Sequence, residues 1–161
     1  MIGLSIIAAL LFMVMLIVVI GKYGVPEMVS SIYYLLGKSG WVFQVVMVSV
    51  GMLMLMCLLD CEKGVQCLAF LACGGLMFVG AAPRFMNEDR GVHKAAATIC
   101  AMAGISWCLS ANFVMTIAAI VAYVIGIICV KKLKKYALFI AEVAAIGWTF
   151  LTYWGLSLGI I

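Results

Sequence analysis

The run Lys131-Lys132-Leu133-Lys134-Lys135 lies between two long apolar stretches. It constrains the chain more than any other feature. A lysine cluster flanked on both sides by segments of membrane-crossing length marks a turn at the edge of a bilayer. The remainder of the chain has the same character. Hydrophobic residues make up 68% of the sequence and charged residues 10%, at a mean hydropathy of +1.32. No stretch is left from which a soluble domain could be built. With 161 residues, the expectation is one all-α transmembrane domain over 1–161, a polytopic helix bundle.

Six transmembrane helices are predicted, over 4–20, 42–59, 65–82, 93–109, 113–130 and 136–160. Each is near the ~20 residues that cross the hydrocarbon core, with allowance for tilt. Asp60 closes the second and Pro83 stops the third. The fourth and fifth are separated only by Ser110-Ala111-Asn112, which predicts a tight antiparallel hairpin with Ser110 or Asn112 as a helix cap. A single helix over 93–130 would be roughly twice the length of one crossing, so the count of six rests on that break. Residues 1–20 carry no positive n-region, and no small-residue cleavage pattern follows. They read as a retained span rather than a signal peptide.

The first connection, 21–41, has a pattern of its own. Pro26-Glu27 suits the first turn of a helix, with proline at the first position and an acid near the positive end of the dipole. Met28, Val29, Ile32, Leu35 and Leu36 then fall on one helical face, and Gly37 stops the run. The expectation is a short helix over 26–36 lying along the membrane interface.

With six spans, connections one, three and five share a side. They hold Lys22, Lys38, Arg84, Arg90, Lys94 and the lysines of 131–135, which leaves only Lys63 for the other side. Such a bias places the lysine- and arginine-rich side in the cytoplasm and both termini outside. The short loops leave no room for eukaryotic sorting tails and point to a bacterial inner membrane. The net charge of +4 is accounted for at these edges, and no basic stripe remains for nucleic acid. Membrane lipids are the expected partners. A homo-oligomer or a membrane-protein partner is left open.

Small residues recur at four-residue spacing. They are Ala118, Ala122 and Gly126 on the fifth span, Ala97-Ala101 and Cys100-Gly104 on the fourth, and Gly155-Gly159 on the sixth. Gly74, Gly75 and Gly80 stand on the third. Such faces let helices approach closely in lipid and are expected to form seams within the chain. The twelve methionines read as pliable packing. The seven cysteines, Cys57, Cys61, Cys67, Cys73, Cys100, Cys108 and Cys129, are odd in number and mostly inside apolar runs. They too read as packing rather than a disulfide framework. Cys57 and Cys61 share a helix face, but no further ligands complete a metal site, and no cofactor is expected.

Three features could carry chemistry. Glu142 is the one acid well inside a span. It is either a proton or cation site, or a carboxyl near the interface that is hydrogen-bonded or paired with a snorkelling lysine. His93, the single histidine, opens the fourth span beside Lys94. It can serve as base, shuttle or ligand, or be an ordinary interfacial residue. Ser30, Ser31, Tyr33 and Tyr34 share the membrane side of Arg84 and His93. Together Ser31, Tyr33, Tyr34, Arg84 and His93 could form a polar ligand-binding pocket, with the planar fork of Arg84 clamping a phosphate or carboxylate.

The string Pro26-Glu27-Met28-Val29-Ser30-Ser31-Ile32-Tyr33-Tyr34 is followed by a span ending at Asp60 and a glycine-rich span closing on Gly80-Ala81-Ala82-Pro83. His93 with Ala95-Ala96-Ala97 then opens the next. In this order, over residues 24–108, the chain resembles small six-helix membrane proteins of unknown function, distantly similar to the DRAM/Sfk type. In those proteins a Ser-Ile-Ser-x-x-Tyr stretch, an Asp after the second span, a Pro before the loop and a His opening the next span recur. Met28-Val29-Ser30-Ser31 departs from that Ser-Ile-Ser pattern. The resemblance implies a fold and candidate residues, and no reaction.

An intramembrane metal hydrolase needs several His and acidic ligands, and a serine hydrolase needs an elbow motif that is absent here. A catalytic role is therefore disfavoured and no catalytic residue is assigned. The preferred expectation is a membrane protein that binds a lipid, an amphipathic ligand or a membrane partner through its polar cluster. The alternative is a small transporter or channel-like protein using Glu142.

Overall fold

The structure, a computed structural model, describes residues 1–81 and 90–160. They form α1 (Ile2–Tyr23), α2 (Ile32–Leu35), α3 (Gly40–Asp60), α4 (Gln66–Ala81), α5 (Arg90–Ala111), α6 (Phe113–Cys129) and α7 (Ala137–Ser157). Short 3₁₀ segments occupy Val29–Ser31, Gly37–Ser39 and Lys131–Tyr136. Among the described residues there is no β-strand. Four helical stretches, Ile2–Tyr23, Gly37–Asp60, Gly91–Ala111 and Leu133–Ser157, are long and apolar enough to cross a membrane. α4 and α6 are shorter apolar helices.

Five helices close a ring. α1 packs on α3, α3 on α4, α4 on α5, α5 on α7, and α7 returns to α1. Neighbours around α4 run antiparallel. Gly51 of α3 faces Cys73 and Met77 of α4, Gly80 faces Met47, and Gly75 faces Cys100 of α5. A Cβ on Gly75 would stand 2.8 Å from Cys100 N, and one on Gly80 would stand 2.8 Å from Met47 Cβ. The glycines are what let these backbones meet. Trp107, Phe43, Ile32, Met47 and Leu58 are fully buried in the core that results.

Side-chain ties fasten α7 on both flanks. Trp154 Nε1 donates to Ser5 Oγ of α1 at 2.8 Å. Trp148 Nε1 donates to Thr116 Oγ1 of α6 at 3.1 Å. Tyr123 OH of α6 donates to Ala137 O at 2.9 Å. These bonds give buried polar atoms a partner where water is excluded.

The hairpin at 110–112 forms where the sequence breaks. Asn112 adopts an extended backbone, and its Oδ1 accepts from Met115 N–H at 3.1 Å, capping α6. Ser110 serves a neighbouring helix instead. Its Oγ accepts from Val65 N–H at 3.1 Å, at the start of α4, and donates to Trp107 O at 2.8 Å.

Two expectations need correction. Residues 26–36 do not form one interfacial helix. Pro26 and Glu27 precede a 3₁₀ turn, a four-residue α2 follows, and Gly37 at φ 54° breaks the run before α3. Part of the apolar face points inward, while Leu35 is exposed. Val29 and Ile32 are buried in the core, so tertiary contact overrides the local start signal. The small-residue row on α6 also forms no seam among the described residues. Ala118 and Ala122 are exposed, and open space lies above Gly126. α6 packs outside the ring on α5 and α7, and Thr116 is the buried residue on it. Gly74 likewise meets nothing within 4 Å among the described residues, whereas Gly75 and Gly80 are in close contact.

Candidate functional site

A cavity of about 100 Å³ lies inside the ring. Its walls come from α3, α4, α5 and α7, and the turn Val29–Ser31 contributes at one end. Most of the wall is apolar: Met47, Val50 and Met54 from α3, Leu76 and Val79 from α4, and Ile146 and Phe150 from α7. The space exists because Ala97, Ala101 and Gly104 of α5 oppose Ala145 of α7, and side chains this small cannot fill the gap between helices. The four-residue spacing on α5 therefore builds a cavity wall as well as a helix contact. Ala101 is exposed as well as lining, so the cavity meets the surface alongside α5.

Polar groups gather at one end. Ser30, His93 and Glu142 all line the cavity. Glu142 lies about 8 Å along the axis from Ala137, at 1.5 Å per residue, and is half-buried. One carboxylate oxygen accepts from Val29 N–H at 2.5 Å. That bond fastens the inward-folded turn to α7 across 113 positions of sequence. When the carboxyl is ionised this is one of the stronger kinds of hydrogen bond.

His93 is 8% exposed, and its Nδ1 has no hydrogen-bond partner among the described residues. Trp107 Nε1 and Thr152 Oγ1 are similarly unpartnered, but neither residue lines the cavity. An orphaned buried polar atom costs about 1–3 kcal/mol. Of the three residues, His93 is the one that also lines the cavity. Deeper in, Thr149 Oγ1 donates to Ala145 O at 3.0 Å and is approached by Cys108 Sγ at 3.8 Å. Thr149, Cys73 and Cys100 complete the less apolar part of the wall.

The residues expected to form the polar pocket are only partly brought together. His93 lines the cavity, but Ser31, Tyr33 and Tyr34 do not. Ser31 is half-buried, and Ser30, its buried neighbour, takes the lining position. Tyr33 lies over Gly40 and meets the Tyr34 ring edge-on at 5.2 Å, while Tyr34 is 52% exposed. Arg84 lies outside the described residues. Glu142, read from the sequence as a separate feature, joins His93 at the same cavity, and its hydrogen bond is to a backbone amide rather than to a lysine. All three line the cavity because the turn Val29–Ser31 packs on α7, and α7 packs on α5.

Comparison with protein-family models, with curated proteins and with solved structures found no match.

Proposed function

We propose that the chain is an integral membrane protein of six crossings that holds a small amphipathic ligand in its interior cavity. The observation that carries this reading is His93: a buried imidazole whose Nδ1 has no partner among the described residues, on a mainly apolar cavity that it shares with Glu142 and Ser30. Pockets with mostly apolar walls and a few convergent polar groups are the usual form of a small-molecule site. The polar end belongs to the edge where Lys22, Lys38, Lys94, Lys134 and Lys135 collect. On charge bias that edge faces the cytoplasm, and a bacterial inner membrane is the setting this fits. A ligand would lie with its polar head near that edge and its apolar body toward the bundle centre.

Six crossings are favoured over four by packing. α4 lies between α3 and α5 and antiparallel to both, which supports its crossing the same layer. The functional test is extraction of bound small molecules from protein purified in maltoside micelles. A compound should accompany the wild-type chain and be lost from Ala97→Phe, which fills the cavity. Equal recovery from both, or none from the wild type, would count against a ligand site.

Glu142 at the cavity supports a second reading, a small transporter that moves its ligand past this carboxylate. In liposomes that reading requires flux abolished by Glu142→Gln.

A further inference from the structure

We infer that the cavity selects a small organic ammonium ion, its cationic nitrogen held between Glu142, His93 and Ser30. This rests on the reading of the cavity as a ligand site and names the class of ligand. The polar groups on the wall can all accept. When ionised, the Glu142 carboxylate accepts only, and one of its oxygens already does so from Val29. His93 Nδ1 accepts when the ring proton is on Nε2, and it has no partner among the described residues. A Ser30 hydroxyl can donate or accept. An alkylammonium head brings three N–H donors and one positive charge. It therefore matches this set in number, in direction of hydrogen bonding and in charge. A carboxylate or phosphate head would set like charge against Glu142. A bare metal ion demands several oxygen ligands, and this wall supplies one carboxylate among mainly apolar side chains.

The size is also restrictive. The volume, about 100 Å³, is less than the ~150 Å³ that admits benzene in an apolar cavity. A chain of a few carbons on the nitrogen fits such a space, with its carbons against Met47, Val50 and Ile146.

The test uses n-butylammonium chloride, 1-butanol and sodium butyrate, titrated calorimetrically into full-length protein in maltoside micelles. Butylammonium should bind at least about tenfold more tightly than butanol, a difference of about 1.4 kcal/mol, and butyrate should bind most weakly. Glu142→Gln should weaken butylammonium by at least about tenfold and leave butanol unchanged. The glutamine amide oxygen can still accept from Val29 N–H, so the turn stays fastened, and retained butanol binding reports an intact cavity. Equal affinity for all three probes, or butylammonium binding unaffected by Glu142→Gln, would overturn the ammonium preference while leaving a ligand cavity standing. Binding of none, together with wild-type extracts indistinguishable from Ala97→Phe, would remove both.

Discussion

At Gly75 a single hydrogen atom decides how close two helices come. A Cβ there would lie 2.8 Å from Cys100 N and 2.9 Å from Cys100 Cα. Both are backbone atoms of α5, which cannot swing aside as the tip of a side chain can. Gly75→Ala should therefore cost about 1–3 kcal/mol, the usual penalty for overpacking. Gly74→Ala, with nothing within 4 Å, should be neutral or gain up to about 1 kcal/mol of helix propensity. Thermal unfolding in detergent compares the two, and equal shifts would refute the close α4–α5 contact. The sequence offers Gly74 and Gly75 as equivalent, because neighbouring helical residues differ only by a turn of about 100°. Which one faces α5 is set by tertiary packing. The same limit applies at the cavity. His93 and Glu142 stand out from sequence as rare ionisable residues in apolar segments. That they share one cavity, and that Ser30 rather than Ser31 joins them, depends on the rotation of a turn that nothing local fixes.

Among the elements, the hairpin between α5 and α6 was the most legible, since a polar triplet between two apolar runs admits few other structures. Asn112 supplies an acceptor to the free amides at the start of α6, as asparagine does at helix N-termini. Asn112→Ala should lower stability by about 1 kcal/mol, measured as the midpoint of unfolding in mixed micelles. Were 93–130 one continuous helix, the same change would raise stability, since alanine is the better interior residue. The segment before α3 was the least legible element. Its apolar spacing is helical, and Pro26-Glu27 resembles a helix start, yet the chain folds as two short 3₁₀ turns around a four-residue α2. The reason lies far away in sequence. Glu142 takes the Val29 amide, and the core takes Val29 and Ile32. A pattern of residues can identify an apolar face without saying whether lipid or protein will cover it.

For the molecule as a whole, the arrangement of charge and the number of crossings constrain each other. α1, α3, α5 and α7 lie in stretches long enough to cross, whereas α4 has 16 residues and α6 has 17. At 1.5 Å per residue they reach about 24 and 26 Å, a few ångströms short of a ~30 Å hydrocarbon core. Local thinning of the bilayer can absorb a mismatch of that size for a fraction of a kcal/mol per ångström. Failing to cross would separate α4 from α3 and α5, against which it packs through Gly51, Gly75 and Gly80. The two topologies differ at Lys94. With six crossings Lys94 shares a side with Lys134, and Lys63 stands opposite both. With four, α5 would start on the far side, and Lys94 would join Lys63. All three lysines are exposed. Cysteine placed singly at each, with Cys61, Cys67 and Cys129 changed to serine, can be labelled by a membrane-impermeant maleimide in sealed vesicles. Six crossings require Lys94→Cys and Lys134→Cys to react from the same side and Lys63→Cys from the other. Lys94→Cys reacting with Lys63→Cys would reduce the crossings to four and take the cation-rich edge away from the polar end of the cavity.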